Sequence, residues 1–120
     1  MTEISFLFRK PRLPILIHTG TELIGAKSWV ACARQLTSVT FADLAACDVI
    51  DVNAEAFSLY LEHMVFSPLT SRKRWTKLAI IELYNGAKKA GRPDYPSTSL
   101  GNKSLEKVVR DIVELLVTSK

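Results

Sequence analysis

The chain has 120 residues, of which 48% are hydrophobic and 23% are charged, and it carries a net charge of +4 with a pI near 9.2. That composition is typical of one globular domain and excludes an intrinsically disordered chain. The moderate positive charge is compatible with a nucleic acid or an acidic protein surface as partner, and it requires neither.

The apolar stretches near the start of the chain are too short to cross a membrane. Residues 4–8 and 13–17 are the most apolar, and three basic residues and Pro11 separate them. Neither stretch approaches the roughly 20 apolar residues that a bilayer span needs. A secretory signal would place its basic residues before one continuous apolar run. We therefore expect a cytoplasmic protein with no membrane partner.

Residues 1–19 are predicted to form a β-hairpin or an irregular arm. Residues 3–8 and 13–18 are rich in β-branched and aromatic side chains. Each run is too short for its period to separate a strand from an arm. The turn of the hairpin would lie around Arg9–Arg12, and two prolines would confine the hairpin to a sheet edge.

Between residues 21 and 66 the apolar spacing predicts three helices. The first spans about 21–36, and the second begins at Thr40. The third covers residues 54–66 and ends before Pro68, because proline restricts the residue that precedes it. Its apolar stripe consists of Phe57, Tyr60, Leu61 and Met64.

Two further helices are predicted in the second half of the chain. A fourth helix, about 71–90, is apolar around more than half of its circumference, which predicts a central position in the fold. Residues 91–102 are rich in turn formers and are predicted to form an exposed loop. The final helix runs from about residue 102 or 104 to 117. Its apolar stripe consists of Leu105, Val108, Val109, Ile112, Leu115 and Leu116.

These segments predict one domain over residues 1–120. Its fold class is mainly α, a compact irregular bundle of four to five helices with a short N-terminal β-hairpin. An α+β fold is the alternative.

The cysteines and histidines indicate no metal site. Cys32 and Cys47 lie among alanines and are predicted to be free, buried thiols in a reducing compartment. The only histidines are His18 and His63. None of these four residues falls in a metal-ligand spacing such as CxxC or HxxxH. We therefore predict no metal and no cofactor.

The pair Gly20 and Gly25, followed by lysine and serine at positions 27 and 28, resembles a phosphate-binding loop. In such a loop the lysine follows the second glycine directly, whereas Ala26 intervenes in this chain. The extra residue turns the lysine and the serine by about 100° if a helix has begun. The spacing therefore argues against nucleotide binding, and Gly25 is interpreted as a point of close packing beside Trp29.

No pattern in the sequence indicates catalysis. Nucleophilic catalysis needs a serine or cysteine beside a histidine that a third group orients. The sequence carries no nucleophile elbow and no glycine-rich oxyanion loop, and His63 is the only candidate base. We therefore predict a protein that is not an enzyme and has no catalytic residues.

The leading functional hypothesis is a small protein-binding module. It would be an inhibitor, antitoxin or immunity-type protein that occludes a partner protein, such as a toxin or nuclease encoded nearby. Arginine, tryptophan and tyrosine are the usual anchors of protein interfaces. The predicted partner-binding residues are Arg72, Arg74, Trp75, Lys77, Lys88, Arg92 and Tyr95.

The alternative hypothesis is a nucleic-acid-binding regulatory protein that uses a basic helix. Lysines and arginines spaced along one helix face can follow a phosphate backbone. The residues predicted for this role are Arg9, Lys10, Arg12, Arg74, Lys77 and Lys88. The sequence leaves the choice between the two hypotheses, and the oligomeric state, open.

Overall fold

A computed structural model describes most of the chain, and the structural statements that follow refer to its described residues. These residues are 4–8, 10–20, 22–37, 46–68, 74–87, 95 and 103–118. They form six strands and three helices. In chain order these are β1 (Ser5–Phe6), β2 (Ile15–His18), β3 (Leu23–Ala26), α1 (Trp29–Leu36), β4 (Ala46–Ile50), β5 (Ala56–Tyr60), β6 (Val65–Pro68), α2 (Lys77–Ala87) and α3 (Leu105–Thr118).

The six strands form one mixed sheet in the order β1-β6-β5-β4-β2-β3. Strand β1 is parallel to β6, and all other neighbours are antiparallel. The fold is therefore α+β, and the predicted bundle of four to five helices is wrong. The predicted N-terminal hairpin is also wrong, because β1 and β2 form strands that lie four positions apart in the sheet instead of pairing.

The segments 46–50 and 56–60 are strands because their buried side chains alternate. Phe57 and Leu59 are 1% and 0% exposed, whereas Tyr60 is 48% exposed. This period of two fits a sheet with one buried face. The spacing of Phe57, Tyr60 and Leu61 also fits a helix. This is why the sequence predicts a helix over residues 54–66, and that prediction is wrong.

The sheet curves, which brings β1 and β6 close to the start of α1. In a flat sheet β3 and β1 would lie about 24 Å apart, because five strand spacings separate them. Trp29 follows the last residue of β3, Ala26, by three positions, which reach at most about 11 Å. Nevertheless the ring of Trp29 lies 4.8 Å from Phe6 on β1 and 5.3 Å from Phe66 on β6, measured between centroids. The sheet must therefore fold around the face that Trp29 occupies.

The helices cover the two faces of this curved sheet. Helix α1 lies on the concave face, which buries Ile15, Ile17, Ile24, Ala26, Cys32, Leu36, Cys47, Val49, Phe57, Leu59 and Phe66. Helices α2 and α3 lie on the convex face over β2 and β3. The core between them consists of Leu16, Leu23, Ile50, Ala54, Ile80, Ile81, Tyr84, Tyr95, Val108, Val109, Ile112 and Val113.

The final helix was predicted in its observed position, and the fourth lies within its predicted segment. Helix α3 agrees with the predicted segment because its apolar stripe repeats over four turns. Helix α2 begins at Lys77, since residues 74–76 are not helical, and residues 71–73 and 88–90 lie outside the described part of the chain. It packs on the outside of the sheet, with Leu78 47% exposed, and is not central.

Both cysteines are buried and free, as predicted. Cys32 lies in α1 and Cys47 in β4, and their thiols face the concave core. Among the helices that the structure describes, none combines the length and hydropathy of a membrane span.

Candidate functional site

A groove opens between the free edge of β1 and the outer face of α1. Its volume is about 510 Å³, which lies within the usual range for ligand-binding clefts. We call it the edge groove. Its lining residues are Ile4, Phe6, Lys10, Trp29, Val30, Ala33, Arg34 and Thr37.

Three aromatic rings hold the floor of the edge groove. Phe6 and Trp29 meet edge to face, with ring centroids 4.8 Å apart, and Phe6 stacks on Phe66 at 5.6 Å. Trp29 also meets Phe66 edge to face at 5.3 Å. Such aromatic pairs have restricted geometry and exclude water. The floor is therefore a rigid apolar surface.

Two cations lie at the rim of this floor. The ammonium group of Lys10 is 4.9 Å from the centroid of the Phe6 ring, which is a cation–π distance. Arg34 is exposed in the last turn of α1. It also lines a second cavity of about 250 Å³ beside the other edge of the sheet. Since no acidic residue is among the described residues that line the edge groove, its local charge is positive.

Exposed apolar side chains also lie in α1 and directly after β1. Val30 in α1 is 67% exposed, and Leu7 and Phe8 after β1 are 50% and 92% exposed. Phe8 also has a φ of 65°. A bulky side chain in this left-handed region costs about 1 kcal/mol relative to ordinary backbone. An aromatic residue thus occupies a strained conformation without gaining burial.

The outer edge of β1 carries backbone groups that pair with no strand among the described residues. The N–H of Ser5 donates to Met64 O (3.1 Å), and the N–H of Leu7 donates to Phe66 O (2.9 Å). The N–H and C=O of Phe6, between them, therefore point away from β6. On that side the sheet has no further strand among the described residues.

The residues predicted to bind a partner protein are only partly brought together. Arg72, Lys88 and Arg92 lie outside the described residues. Arg74 is exposed just before α2, and Lys77 is partly buried in its first turn. Trp75 packs against the core of the convex face. None of these described residues lines the edge groove.

Tyr95 has a structural environment. It is 5% exposed, and the side chain of Asn85 clamps its backbone, accepting from its N–H (2.8 Å) and donating to its C=O (3.1 Å). The phenol donates to Asp111 at 2.8 Å and accepts from Lys103 at 3.0 Å. Burial, the largest influence, raises the pKa of Tyr95. A ring buried in this way cannot anchor a partner without leaving its site.

The residues predicted to bind nucleic acid separate into two places. Arg9 and Lys88 lie outside the described residues, and Lys10 belongs to the edge groove. Arg12 and Arg74 each contact the turn between β4 and β5 through their backbone. The carbonyl of Arg12 accepts from Val52 N–H at 3.0 Å, and Arg74 forms a β-bridge with Glu55 in the same turn.

The residues that resembled a phosphate-binding loop have other roles. Gly25 lies inside β3, and a Cβ at this position would be 3.2 Å from Val113 Cα. It is thus a close-packing point, as interpreted, although it packs against α3 and not beside Trp29. Lys27 forms an ion pair with Glu114. Ser28 is the N-cap of α1, and its hydroxyl accepts from Ala31 N–H.

The candidate base and the candidate metal ligands do not assemble into a site. His63 is exposed in the turn between β5 and β6, with its Nε2 3.9 Å from Glu62 Oε1. The described residues contain no cluster of three or more histidine, cysteine or acidic side chains that could hold a metal. The groove residues themselves supply apolar surface and positive charge, which can bind but carry no nucleophile–base pair.

Sequence reasoning found Lys10 but missed the rest of the edge groove. The groove combines residues 4–10 with residues 29–37, and their proximity results from the curvature of the sheet. The available signal was the density of apolar residues around Phe6 and Phe8. No protein-family model, curated protein sequence or solved structure matches this chain.

Proposed function

We propose that this chain is a non-catalytic protein-binding module that occludes a partner protein, as an inhibitor, antitoxin or immunity-type protein does. The partner would be a protein encoded nearby, such as a toxin or nuclease. The binding surface would be the edge groove together with Phe8. The protein would act in the cytoplasm, where a reducing environment suits its two free thiols.

Phe8 is the observation that carries this proposal. Its ring is 92% exposed and its backbone is strained. Non-glycine residues in left-handed backbone cluster at functional sites, where the surrounding fold holds them in place. Burial against a partner would give this ring the packing that it lacks in the isolated chain, since aromatic side chains dominate interface energetics.

The chemistry of the surrounding surface supports the same function. Apolar side chains surrounded by charged ones are typical of an interface with an apolar centre and a polar rim. Val30 supplies exposed apolar surface within the edge groove, and Leu7 and Phe8 supply more directly after β1 in the chain. Lys10 and Arg34 supply the charged rim.

Coexpression with the proteins encoded on either side tests the proposal. We expect one of them to form a one-to-one complex, measured by light scattering after gel filtration, and to lose its activity at one equivalent of this chain. Val30→Glu should weaken the complex by at least about 30-fold, since placing a charge in an interface centre costs about 2 kcal/mol.

Leu78→Glu is the matched control. Leu78 is an exposed aliphatic residue on α2, outside the edge groove. The control should fold like Val30→Glu by circular dichroism and bind within about twofold of the original chain. Absence of any complex with the neighbouring proteins would refute the proposed function.

A second candidate function, nucleic-acid binding, is favoured by one observation. Arg12 and Arg74, one from each basic segment, both contact the β4–β5 turn through their backbone. Against this candidate, the same turn carries Asp51 and Glu55. Affinity for DNA or RNA that falls steeply with salt would favour it, and the absence of binding at low salt would remove it.

A further inference from the structure

We propose that the edge groove binds an extended, apolar, carboxylate-bearing segment of the partner protein, which adds as a strand to the free edge of β1. This inference rests on the proposed function, because the segment belongs to the occluded partner. It extends the proposed function by specifying the backbone conformation and the side-chain chemistry of the bound segment.

The backbone of β1 favours an extended ligand. The N–H and C=O of Phe6 point away from β6, towards the open side of the groove. A strand placed there would bond to both groups, as in strand-addition complexes. Because β1 has only two residues, backbone pairing supplies few hydrogen bonds. Most of the affinity must therefore come from side chains in the groove.

The groove walls determine which side chains fit. On a strand beside β1, every second side chain, about 6.7 Å apart, would point the same way as Ile4 and Phe6. These two residues form one wall, and Val30 and Ala33 of α1 form the other. Aliphatic or aromatic side chains at alternate positions would therefore enter the groove and contact Trp29.

The charge at the rim favours carboxylates beside those apolar residues. The cation–π contact with Phe6 holds the ammonium of Lys10 at the rim, and Arg34 lies at the end of α1. The described lining contains no acid that would neutralise either cation. Rim charges of this kind select between partners and speed association more than they add affinity. An acidic segment should thus be preferred over an equally apolar basic one.

Synthetic peptides of eight residues test this inference. At the positions that face the groove, the probe carries leucine in the centre and glutamate at either end, with threonine at the positions between them. The comparison peptide has lysine in place of each glutamate. Trp75→Phe makes Trp29 the only tryptophan, because the chain contains two. We expect the acidic peptide to shift Trp29 fluorescence saturably and to bind at least about tenfold more tightly than the basic peptide.

Charge reversal at the rim provides the matched pair of variants. Arg34→Glu should abolish the preference for the acidic peptide. Arg110→Glu changes the net charge equally, but Arg110 lies on α3, on the other face of the sheet. The Arg110→Glu variant should keep the preference for the acidic peptide. Equal affinity for both peptides in the original chain, or an equal effect of the two variants, would overturn the inference.

Backbone methylation tests strand addition separately. Peptides N-methylated at odd or at even positions lose hydrogen-bond donors on opposite edges. One series should lose at least about tenfold in affinity while the other keeps it, because only one edge faces β1. Equal binding of both series would overturn strand addition. Binding of dodecanoate with a Trp29 shift, without peptide binding, would assign the groove to a small amphiphile and overturn the proposal.

The two proposals fail in different ways. A one-to-one complex that survives Arg34→Glu, combined with no peptide binding, would leave the proposed function standing and refute the strand-addition site. Peptide binding in the groove without any protein complex would support the site and refute the occlusion function.

Discussion

Gly25 lies where β3 passes directly beneath α3. A Cβ at this position would lie 3.2 Å from Val113 Cα and 3.3 Å from Val113 Cγ1. The Gly25 carbonyl also accepts a hydrogen bond from the side chain of Gln35 at 2.6 Å. The residue therefore sets how closely the strand, α1 and α3 approach one another.

Gly25→Ala should lower the free energy of unfolding by about 1–2 kcal/mol, because the added methyl group meets backbone that cannot move aside easily. Urea denaturation monitored by circular dichroism measures the change.

Gly86→Ala in α2 is the control for that substitution. A Cβ there meets no atom within 4 Å. Because alanine has the higher helix propensity, this variant should gain about 0.5 kcal/mol. Equal effects of the two substitutions would contradict the role assigned to the strand–helix contact.

At the scale of elements, one polar cluster connects α3 to Tyr95. Asp111 on α3 accepts from the Tyr95 phenol at 2.8 Å and pairs with Lys107 at 2.8 Å. Burial acts to raise the pKa of Asp111, but the hydrogen bonds from Lys107 and Tyr95 outweigh it and hold that pKa below its usual value of 3.8. Asp111 thus stabilises the helix layer in its charged form.

Asp111→Asn should lower the free energy of unfolding at pH 7 by about 1 kcal/mol, because charge-assisted hydrogen bonds are lost. The pKa of Asp111 is lower in the folded chain than in the unfolded one. Its contribution is therefore present above the usual pKa and lost as the pH falls through the folded-state value. The two proteins should converge in stability as the pH drops below 3.8.

Urea denaturation of both proteins between pH 7 and acid pH measures this convergence. A difference in stability that stays constant throughout would mean that the carboxylate charge plays no part.

The elements differ in how far their sequences specify them. Helix α3 was predictable because six apolar residues keep one period over 14 residues. Strand β5 was not predictable, because five residues contain only two alternations of buried and exposed side chains. Phe57 and Tyr60 also fit a helical stripe. The packing of Phe57 and Leu59 against the concave core selects the strand. That contact involves residues distant in the chain, so local spacing could not reveal it.

At the scale of the whole molecule, the edge groove depends on the curvature of the sheet. Lys10 and the apolar run around Phe6 were visible in the sequence, but their contact with Trp29 was not. It requires β1 to pair with β6 and the sheet to bring both edges to α1. Neither feature produces a local sequence pattern. The sequence therefore predicts a binding surface around Arg74 and does not indicate that the groove residues come together.

Alkylation of Cys32 and Cys47 should occur only when the protein unfolds. They are 0% and 2% exposed in the concave core. Burial raises the pKa of Cys32 to about 12, and burial followed by the charge of Asp48 raises the pKa of Cys47. Since the thiolate is the reactive form, both should resist iodoacetamide at pH 8 in the folded protein.

Intact-mass spectrometry measures this protection. Both cysteines should be alkylated in urea, and neither should be alkylated in buffer over the same incubation. Rapid modification of either cysteine in buffer would mean that the concave core opens locally.

The pairing of β1 with β6 also sets an order of events during synthesis. Ser5 and Val65 are partners although 60 positions separate them. At ribosomal rates of about 5–20 residues per second, the N-terminal strand emerges about 3–12 s before its partner. Throughout that interval Phe6 and Phe8 belong to an unpaired nascent segment. The edge groove is therefore completed only after β6 has left the ribosome.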